Sequence, residues 1–503
     1  MKLASIFTDH MVLQRNKPIR IWGEAQGEVT LQFNGKRISA PANDQRWMAV
    51  FPEMEAGGPY EISISGDGET IVISDVFVGE VWIAAGQSNM EHPVMAAENG
   101  FDWAERLQNA NVRIFNVPRF CIPGVETMKW QFESLLIHDT PWQIATAENA
   151  LHTSAVGFFF AAQLQEMLDI PVGIINCNYG ATPVESWVPQ ESIAKEECFA
   201  FARKLQEDVL STLDLQIYDE KFREYLRRCD LQCRYLDCIS AARNISARDY
   251  NRFIGVKPME PPMGPYHHKW PGHLYATMLE RIIPYAAKGV LWYQGESNAA
   301  DNGAMGHYKD IFEAMVRVWR EKWQDDTLPF LTVQLAPFAI GIPDIWMPLI
   351  EKQISASREI PGVAMITSSD LGETDNIHPV RKKEFADRLF LAAKNTVYGM
   401  DVEYSGPIFK GALRKGRRVE IRFDHAESGL EIREEMPAQF EICGADENFL
   451  PAQYEIHENV LYAWNEAIEI PVQVRMGNQN FFQVNLYNKD GLIAAPFQAQ
   501  VEE

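Results

Sequence analysis

Residues 81–90 read VWIAAGQSNM, and the fold prediction starts from this segment. Its first part, Val81–Ala85, is a short apolar run bounded by turn residues, which is typical of a buried strand rather than a helix. Gly86 permits a tight turn, and Ser88 follows it. Open α/β sheets place their chemistry in the loops after their strands. Taken alone, the pattern also fits a serine that caps an ordinary helix, so the rest of the chain has to decide.

From about residue 76 to residue 399, short apolar runs alternate with amphipathic helical patterns. This alternation predicts an α/β fold with a parallel sheet and helices on both of its faces. The predicted strands are Val81–Ala85, Val172–Cys177, Gly289–Tyr293, Phe330–Leu335 and Val363–Thr367. The predicted helices are one capped by Ser154, one from His307 to Trp323, and one that starts at Pro379 and stops near Gly399.

Segments rich in β-strand patterns flank this core. Residues 1–75 contain short alternating runs separated by turn signals such as Asn34-Gly35, which predicts an N-terminal β-sandwich-like domain. In residues 400–503 apolar and polar residues again alternate with a period of two, which predicts a C-terminal β domain. Residues from about 190 to 260 are charged and helical. We interpret them as a structural insertion in the 76–399 segment, with a lid as the alternative.

Composition excludes some partners and leaves others open. The net charge of −23 argues against nucleic acid or an anionic membrane as the main partner. No apolar run is long enough for a membrane span and no leader is evident, so we expect a cytoplasmic protein, or a secreted one whose leader has been removed. Cys229, Cys233 and Cys238 lack the paired spacing of a zinc site, so we expect no metal or other cofactor. The oligomeric state is not defined by the sequence.

Three polar clusters follow predicted strands other than the one that precedes Ser88. They are Asn178–Trp187, Gln294–Asn298 and Asp370–His378. Because the carboxyl ends of parallel strands meet at one edge of a sheet, we expect these clusters to gather near Ser88.

The residue types in these clusters fit the roles of a hydrolase. A serine hydroxyl needs a base to become a nucleophile, and histidine is the usual base at neutral pH. The spacing Asp375-x-x-His378 supplies a base together with a carboxylate to orient it. We therefore predict Ser88 as nucleophile, His378 as base and Asp375 as the partner of His378. The pattern G-x-S-x-G of common α/β-hydrolases is absent around Ser88.

A tetrahedral oxyanion also needs hydrogen-bond donors. The candidates are the backbone N–H groups of Ser88 and Gly180, together with the side-chain amide of Gln294 or of Asn298. The sequence leaves the choice between these two amides open.

Several of these blocks resemble the sialate O-acetylesterase family, within the SGNH-type carbohydrate esterases. The blocks occur in family order, and the resemblance covers nearly the full chain, with the insertion and the C-terminal β domain matching least clearly. They are residues 9–15 (DHMVLQR), 75–82 (DVFVGEVW), 86–91 (GQSNME), 289–299 (GVLWYQGESNA) and 375–379 (DNIHP).

The resemblance implies a flavodoxin-like SGNH hydrolase core and a serine esterase that removes O-acetyl groups from carbohydrates. It implies Ser88 as nucleophile and His378 as base, and it keeps Glu296 as an alternative partner of His378, because some related esterases use the glutamate of this block. Two alternative functions stay open: an acetylxylan-type esterase and a carbohydrate-binding protein without turnover.

Overall fold

The chain forms two compact units, one comprising Met1–Trp292 and Asp310–Phe330, the other Tyr293–Lys309 and Leu331–Glu503. The computed structural model describes residues 1–119, 140–227, 263–339, 345–433 and 440–503. The second half of the expected insertion, with Cys229, Cys233 and Cys238, lies outside the described residues.

The strands and helices have the following bounds. The strands are β1 Lys2–Leu3, β2 Val12–Gln14, β3 Ile19–Glu24, β4 Val29–Phe33, β5 Lys36–Ala40, β6 Arg46–Phe51, β7 Gly57–Gly66, β8 Glu69–Gly86, β9 Asn109–Asn116, β10 Gln143–Ala145, β11 Val172–Asn178, β12 Gly289–Tyr293, β13 Phe330–Val333, β14 Val363–Ile366, β15 Ile408–Lys415, β16 Arg418–Asp424, β17 Leu430–Ile432, β18 Phe440–Cys443, β19 Leu450–Pro451, β20 Gln453–His457, β21 Val460–Trp464, β22 Gln473–Met476, β23 Leu486–Asn488 and β24 Phe497–Gln500. The helices are α1 Ser88–Glu91, α2 Gly100–Leu107, α3 Ala147–Leu151, α4 Ala155–Leu168, α5 Gln190–Lys195, α6 Ala200–Leu210, α7 His273–Thr277, α8 Glu296–Ala299, α9 Asn302–Met305, α10 Tyr308–Trp323, α11 Trp346–Glu359 and α12 Lys382–Thr396. Residues 215–227 are also helical. Within the described part of the chain, none of the helices has both the length and the apolar character needed to cross a bilayer.

The main sheet of the first unit has the strand order β10-β9-β11-β8-β12. Strands β9, β11 and β8 run parallel to one another. Every residue of β11 is buried, and β8 is buried from Val78 to Gly86. A parallel sheet covered on both faces requires strands that are apolar over most of their length, which is why the sequence predicted them.

Strand β8 joins this parallel sheet to the N-terminal β-strands. Its first part pairs antiparallel with β7, from Glu69 to Val78. Its second part, Glu80–Gly86, pairs parallel with β11. The strand crosses residue 75, the expected domain boundary, without a break, and the division into segments 1–75, 76–399 and 400–503 stays a prediction.

The predicted elements of the first unit are largely present. β8, β11 and β12 contain the predicted strands, and Ser154 caps α4 by accepting a hydrogen bond from the Gly157 N–H at 3.0 Å. The sequence did not predict β9, because Arg113 interrupts its apolar run. Arg113 is buried in the fold, where it forms an ion pair with Asp75 at 3.1 Å.

In the second unit, β13 neighbours β14, and helices α11 and α12 accompany them. The predicted start of the last helix at Pro379 is wrong, since α12 begins at Lys382. The N–H of Val380 donates to Glu373 Oε1 at 2.7 Å, which keeps residues 379–381 in a loop.

The C-terminal part of this unit forms separate antiparallel sheets, with the orders β15-β16-β21-β20 and β19-β18-β22-β24 and the pair β17-β23. In β16 the buried Val419, Ile421 and Phe423 lie at alternate positions, as the sequence pattern predicts.

Because β8 has one buried and one exposed end, two identical substitutions should differ in effect. Val81 is 0% exposed and Val72 is 49% exposed. We expect Val81→Ala to lower the free energy of unfolding by roughly 1–3 kcal/mol, because it removes two buried methyl groups and leaves a cavity. Val72→Ala should change it by about 0.5 kcal/mol or less. Urea unfolding followed by circular dichroism measures both, and equal effects would contradict the described burial of β8.

Candidate active site

Ser88 lies at the carboxyl end of β8. Gly86 has a φ of +135°, which a residue with a side chain rarely adopts, and the chain turns there into α1. Ser88 is the first residue of α1 rather than its cap, since Gln87 holds the N-cap position, although its side chain does not cap the helix. Ser88 is partly exposed, whereas Gln87 and Asn89 on either side are buried. The turn therefore presents a hydroxyl group at the surface of an otherwise buried loop.

Gly180 lies directly beside Ser88. A Cβ atom built on Gly180 would lie 3.4 Å from Ser88 Cβ and 2.9 Å from Glu91 Oε2. The N–H of the preceding Tyr179 donates to the Gly86 carbonyl at 3.0 Å, which extends the β8–β11 pairing into the two loops. The structure thus brings together two of the residues that the sequence singled out.

Glu91 and Arg119 complete this part of the site. The Gly180 N–H donates to Glu91 Oε2 at 2.5 Å, and Arg119 Nη1 donates to Glu91 Oε1 at 2.7 Å. Arg119 Nη2 also reaches Asn178 Oδ1 at 3.4 Å. The Glu91 carboxylate therefore holds the Gly180 turn against α1 and also binds the partly exposed Arg119.

Near the end of β11 lie a buried thiol and a stack of aromatic rings. Burial raises the pKa of the Cys177 thiol well above its usual range, so this cysteine stays a neutral thiol. Tyr179 stacks on His268, with ring centroids 5.0 Å apart, and His268 stacks on His267 at 4.3 Å. Tyr179, the residue before Gly180, is thus the first of three stacked rings.

In the second unit, Gln294 and Asn298 form a buried pair after β12. Gln294 Nε2 donates to Asn298 Oδ1 at 2.6 Å, and the Tyr308 hydroxyl donates to Gln294 Oε1 at 3.3 Å. Gln353 Nε2 donates to the Gln294 carbonyl at 3.2 Å. Both predicted amides are therefore held in fixed orientations.

The loop of His378 is built by side chains other than Asp375. Asn376 Oδ1 accepts from the His378 N–H at 3.0 Å, and Asn376 Nδ2 donates to the His378 carbonyl at 2.8 Å. Glu373 Oε2 accepts from Asn376 Nδ2 at 3.0 Å, while its Oε1 accepts from the Val380 N–H. Asp375 is exposed, and its carboxylate forms no hydrogen bond or ion pair with any residue of the described chain.

Known proteins resemble the chain over nearly its whole length. A solved structure of a carbohydrate acetylesterase from Xanthomonas citri superposes with a TM-score of 0.77 at 30% identity, and the match covers 99% of each chain. The model of the family described as carbohydrate esterase, sialic acid-specific acetylesterase, matches residues 257–388. The chain belongs to the sialate O-acetylesterase family.

Mammalian members of the sialate O-acetylesterase family are more distant in sequence. The sialate O-acetylesterase of Rattus norvegicus is 26% identical over 497 residues, which cover 90% of this chain and 84% of the relative. That of Homo sapiens is 27% identical over 449 residues, which cover 81% and 73%. This membership makes the protein a carboxylic ester hydrolase that removes O-acetyl groups from carbohydrates, on an SGNH-like α/β fold. The fold class and the enzyme class expected from the sequence are thereby confirmed.

The sequence did not assign roles to Glu91 or Arg119. Glu91 stands in the GQSNME block and could have drawn attention, but its partner Arg119 follows β9, the strand that was not predicted. In the described ranges no three His, Cys, Asp or Glu side chains group as a metal ion would require. The expectation of a site without metal stays a prediction.

Gly180 allows a matched test of this geometry. We expect Gly180→Ala to lower kcat/KM about tenfold or more, because a Cβ 2.9 Å from Glu91 Oε2 and 3.4 Å from Ser88 Cβ would shift the turn that holds the Gly180 N–H beside Ser88. Gly27→Ala is the control, because a Cβ there meets nothing within 4 Å. Rates with p-nitrophenyl acetate measure both, and wild-type kinetics of Gly180→Ala would show that the turn tolerates a side chain.

Proposed function

We propose that Ser88 is the nucleophile of this O-acetylesterase and that His378 is its general base. The observation that carries the proposal is the placement of Ser88 at the end of a buried parallel strand, partly exposed and next to Gly180. A serine at such a strand end meets the positional requirement of a nucleophile.

In the proposed reaction, Ser88 Oγ attacks the acetyl carbonyl carbon while His378 takes the hydroxyl proton. Collapse of the tetrahedral intermediate breaks the bond to the sugar oxygen, which receives that proton. Water then attacks the acetyl-enzyme with His378 again as base, acetate leaves, and the Ser88 hydroxyl is restored.

The oxyanion donors remain those proposed from the sequence: the N–H groups of Ser88 and Gly180, and the amide of Gln294 or Asn298. The Gly180 N–H donates to Glu91 in this structure, so an oxyanion would have to take the place of that carboxylate as acceptor. The fixed orientation of the Gln294–Asn298 pair supports an amide donor that needs no reorganisation.

Two carboxylates compete for the role of partner to His378, and burial favours Glu296. A carboxylate that orients a histidine accepts a hydrogen bond from its ring and is shielded from water. Asp375 is exposed and makes no hydrogen bond with another described residue, whereas Glu296 is 7% exposed. We therefore propose Glu296 as the orienting acid and Asp375 as the alternative.

For the substrate we propose O-acetylated sialic acid, the sugar named for the mammalian relatives. A chain of net charge −23 needs a local cation to bind the carboxylate of such a sugar. Arg119 meets this requirement, since it is partly exposed and linked to the Gly180 turn through Glu91. A cytoplasmic location, without nucleic acid or membrane partners, is also proposed, from the sequence alone.

The nucleophile is tested by Ser88→Ala. We expect kcat for acetate release from p-nitrophenyl acetate and from acetylated sialic acid to fall by at least about 10⁴-fold, because no other group supplies the attacking oxygen. Ser211→Ala, at an exposed serine after α6, is the matched control and should keep full activity. Substantial activity of Ser88→Ala would refute the mechanism, and preference for acetylated xylan over acetylated sialic acid would refute the proposed substrate.

The orienting acid is tested by two isosteric variants. Glu296→Gln should lower kcat by roughly 10³-fold or more, since a neutral amide neither fixes the tautomer of His378 nor stabilises its charged form. Asp375→Asn should stay within about threefold of the wild type because the carboxylate is exposed. The reverse pattern of kcat values would return the role to Asp375.

A further inference from the structure

Lys382, the first residue of α12, is an unusual lysine because it is 0% exposed. Lysine side chains are almost never fully buried unless they are paired. Its Nζ lies 5.6 Å from the ring centroid of Tyr293 and 5.4 Å from that of Phe385. Both rings are themselves buried, so the ammonium group sits in an aromatic enclosure without access to bulk water.

Two carboxylates interact electrostatically with this ammonium group. They belong to Glu296, in the block after β12, and to Glu373, in the loop that carries His378. Burial lowers the pKa of Lys382 to about 7, and the charges of Glu296 and Glu373 act in the opposite direction by favouring the ammonium form. The charge of the lysine thus interacts both with the proposed orienting acid and with a carboxylate that shapes the His378 loop.

Glu373 links Lys382 to the backbone of that loop. Its two oxygens accept hydrogen bonds from the Val380 N–H and from Asn376 Nδ2, and Asn376 in turn holds both the N–H and the carbonyl of His378. If the ammonium group of Lys382 holds the Glu373 carboxylate in place, it therefore also holds the backbone of His378 in place.

We propose that Lys382 is a positioning residue, whose enclosed ammonium group keeps Glu296 ionised and correctly placed to orient His378 and at the same time anchors the His378 loop through Glu373. The proposal rests on Glu296 as the orienting acid of the proposed function. Lys382 itself does not contact the substrate in this proposal; it acts through the two carboxylates.

The chemical reason is the cost of a buried charge. A carboxylate shielded from water takes up a proton unless a positive charge or hydrogen bonds stabilise its ionised form. A protonated Glu296 would no longer stabilise the positive charge that forms on His378 during catalysis. Loss of the ammonium group should therefore reduce turnover rather than substrate affinity.

The adjacent lysine provides a matched control. Lys383 follows Lys382 in the same helix turn but is partly exposed and forms an ion pair with Asp387, one turn further along the helix. Lys382→Met and Lys383→Met are thus identical substitutions that each remove one ammonium group, at neighbouring positions of α12. Lys383→Met should keep kcat and KM of the wild type, because surface ion pairs of this kind contribute little.

The experiment is a double-mutant cycle with p-nitrophenyl acetate as substrate, using Lys382→Met, Glu296→Gln and the double variant. We expect Lys382→Met to lower kcat about tenfold or more while KM stays within about twofold. In the Glu296→Gln background the same substitution should lower kcat by about twofold or less, because the effect through Glu296 is already gone and only the smaller effect through Glu373 remains. Lys382→Arg, which retains the positive charge, should recover most of the wild-type kcat.

Each contrary outcome identifies what has failed. Wild-type kcat of Lys382→Met, or an equal loss in both backgrounds, would overturn the positioning role and leave Glu296 as the acid. Near-full activity of Glu296→Gln would overturn the proposed acid and, with it, this inference. If Lys382→Met does not fold, Lys382→Arg decides: a loss of kcat as large as that in Glu296→Gln would show that the shape of the lysine rather than its charge matters, and would overturn the proposal.

Discussion

The parallel register between β8 and β11 is the constraint on which the Ser88 region depends. Gly86 pairs with Asn178 at the last position of both strands, so the two loops leave the sheet at the same height. Ser88 and Gly180 are distant in sequence, yet their spacing is set by backbone hydrogen bonds of the sheet and not by the loops. Glu91 and Arg119 then fasten the turn that the register has already positioned.

Much of the core was predictable because buried strands consist mainly of apolar residues, which can be recognised in the sequence. Strands covered on both faces are apolar over most of their length, and Val172–Ile175 in β11 and Val81–Ala85 in β8 are such runs. Strand β9 was not predictable by this rule, since Arg113 stands in its middle and only the fold supplies Asp75 to neutralise it. The start of α12 was misplaced for a related reason. Proline favours the first turn of a helix, but the hydrogen bond from Val380 to Glu373 keeps Pro379 in the loop.

The candidate site divides in the same way. Ser88, Gly180 and the Gln294 block could be found because each follows an apolar strand that the sequence makes visible. The different environments of Lys382 and Lys383 could not be predicted from the sequence, in which the two residues are identical. Lys382 is buried beside two aromatic rings and interacts with two carboxylates, whereas Lys383 is partly exposed and forms an ion pair with Asp387. The difference depends on the rotation of α12 about its axis, which a two-residue pattern does not fix.

The uninterrupted course of β8 also bears on how such a chain can be rearranged in evolution. The strand is held at one end by β7 and β2 and at the other by β11. Recombination that exchanged the first 75 residues would cut this strand, and a slip of one residue on rejoining would turn every side chain to the opposite face of the sheet. The N-terminal strands and the Ser88 loop therefore lie at two ends of one strand, and an exchange between them would have to preserve its register.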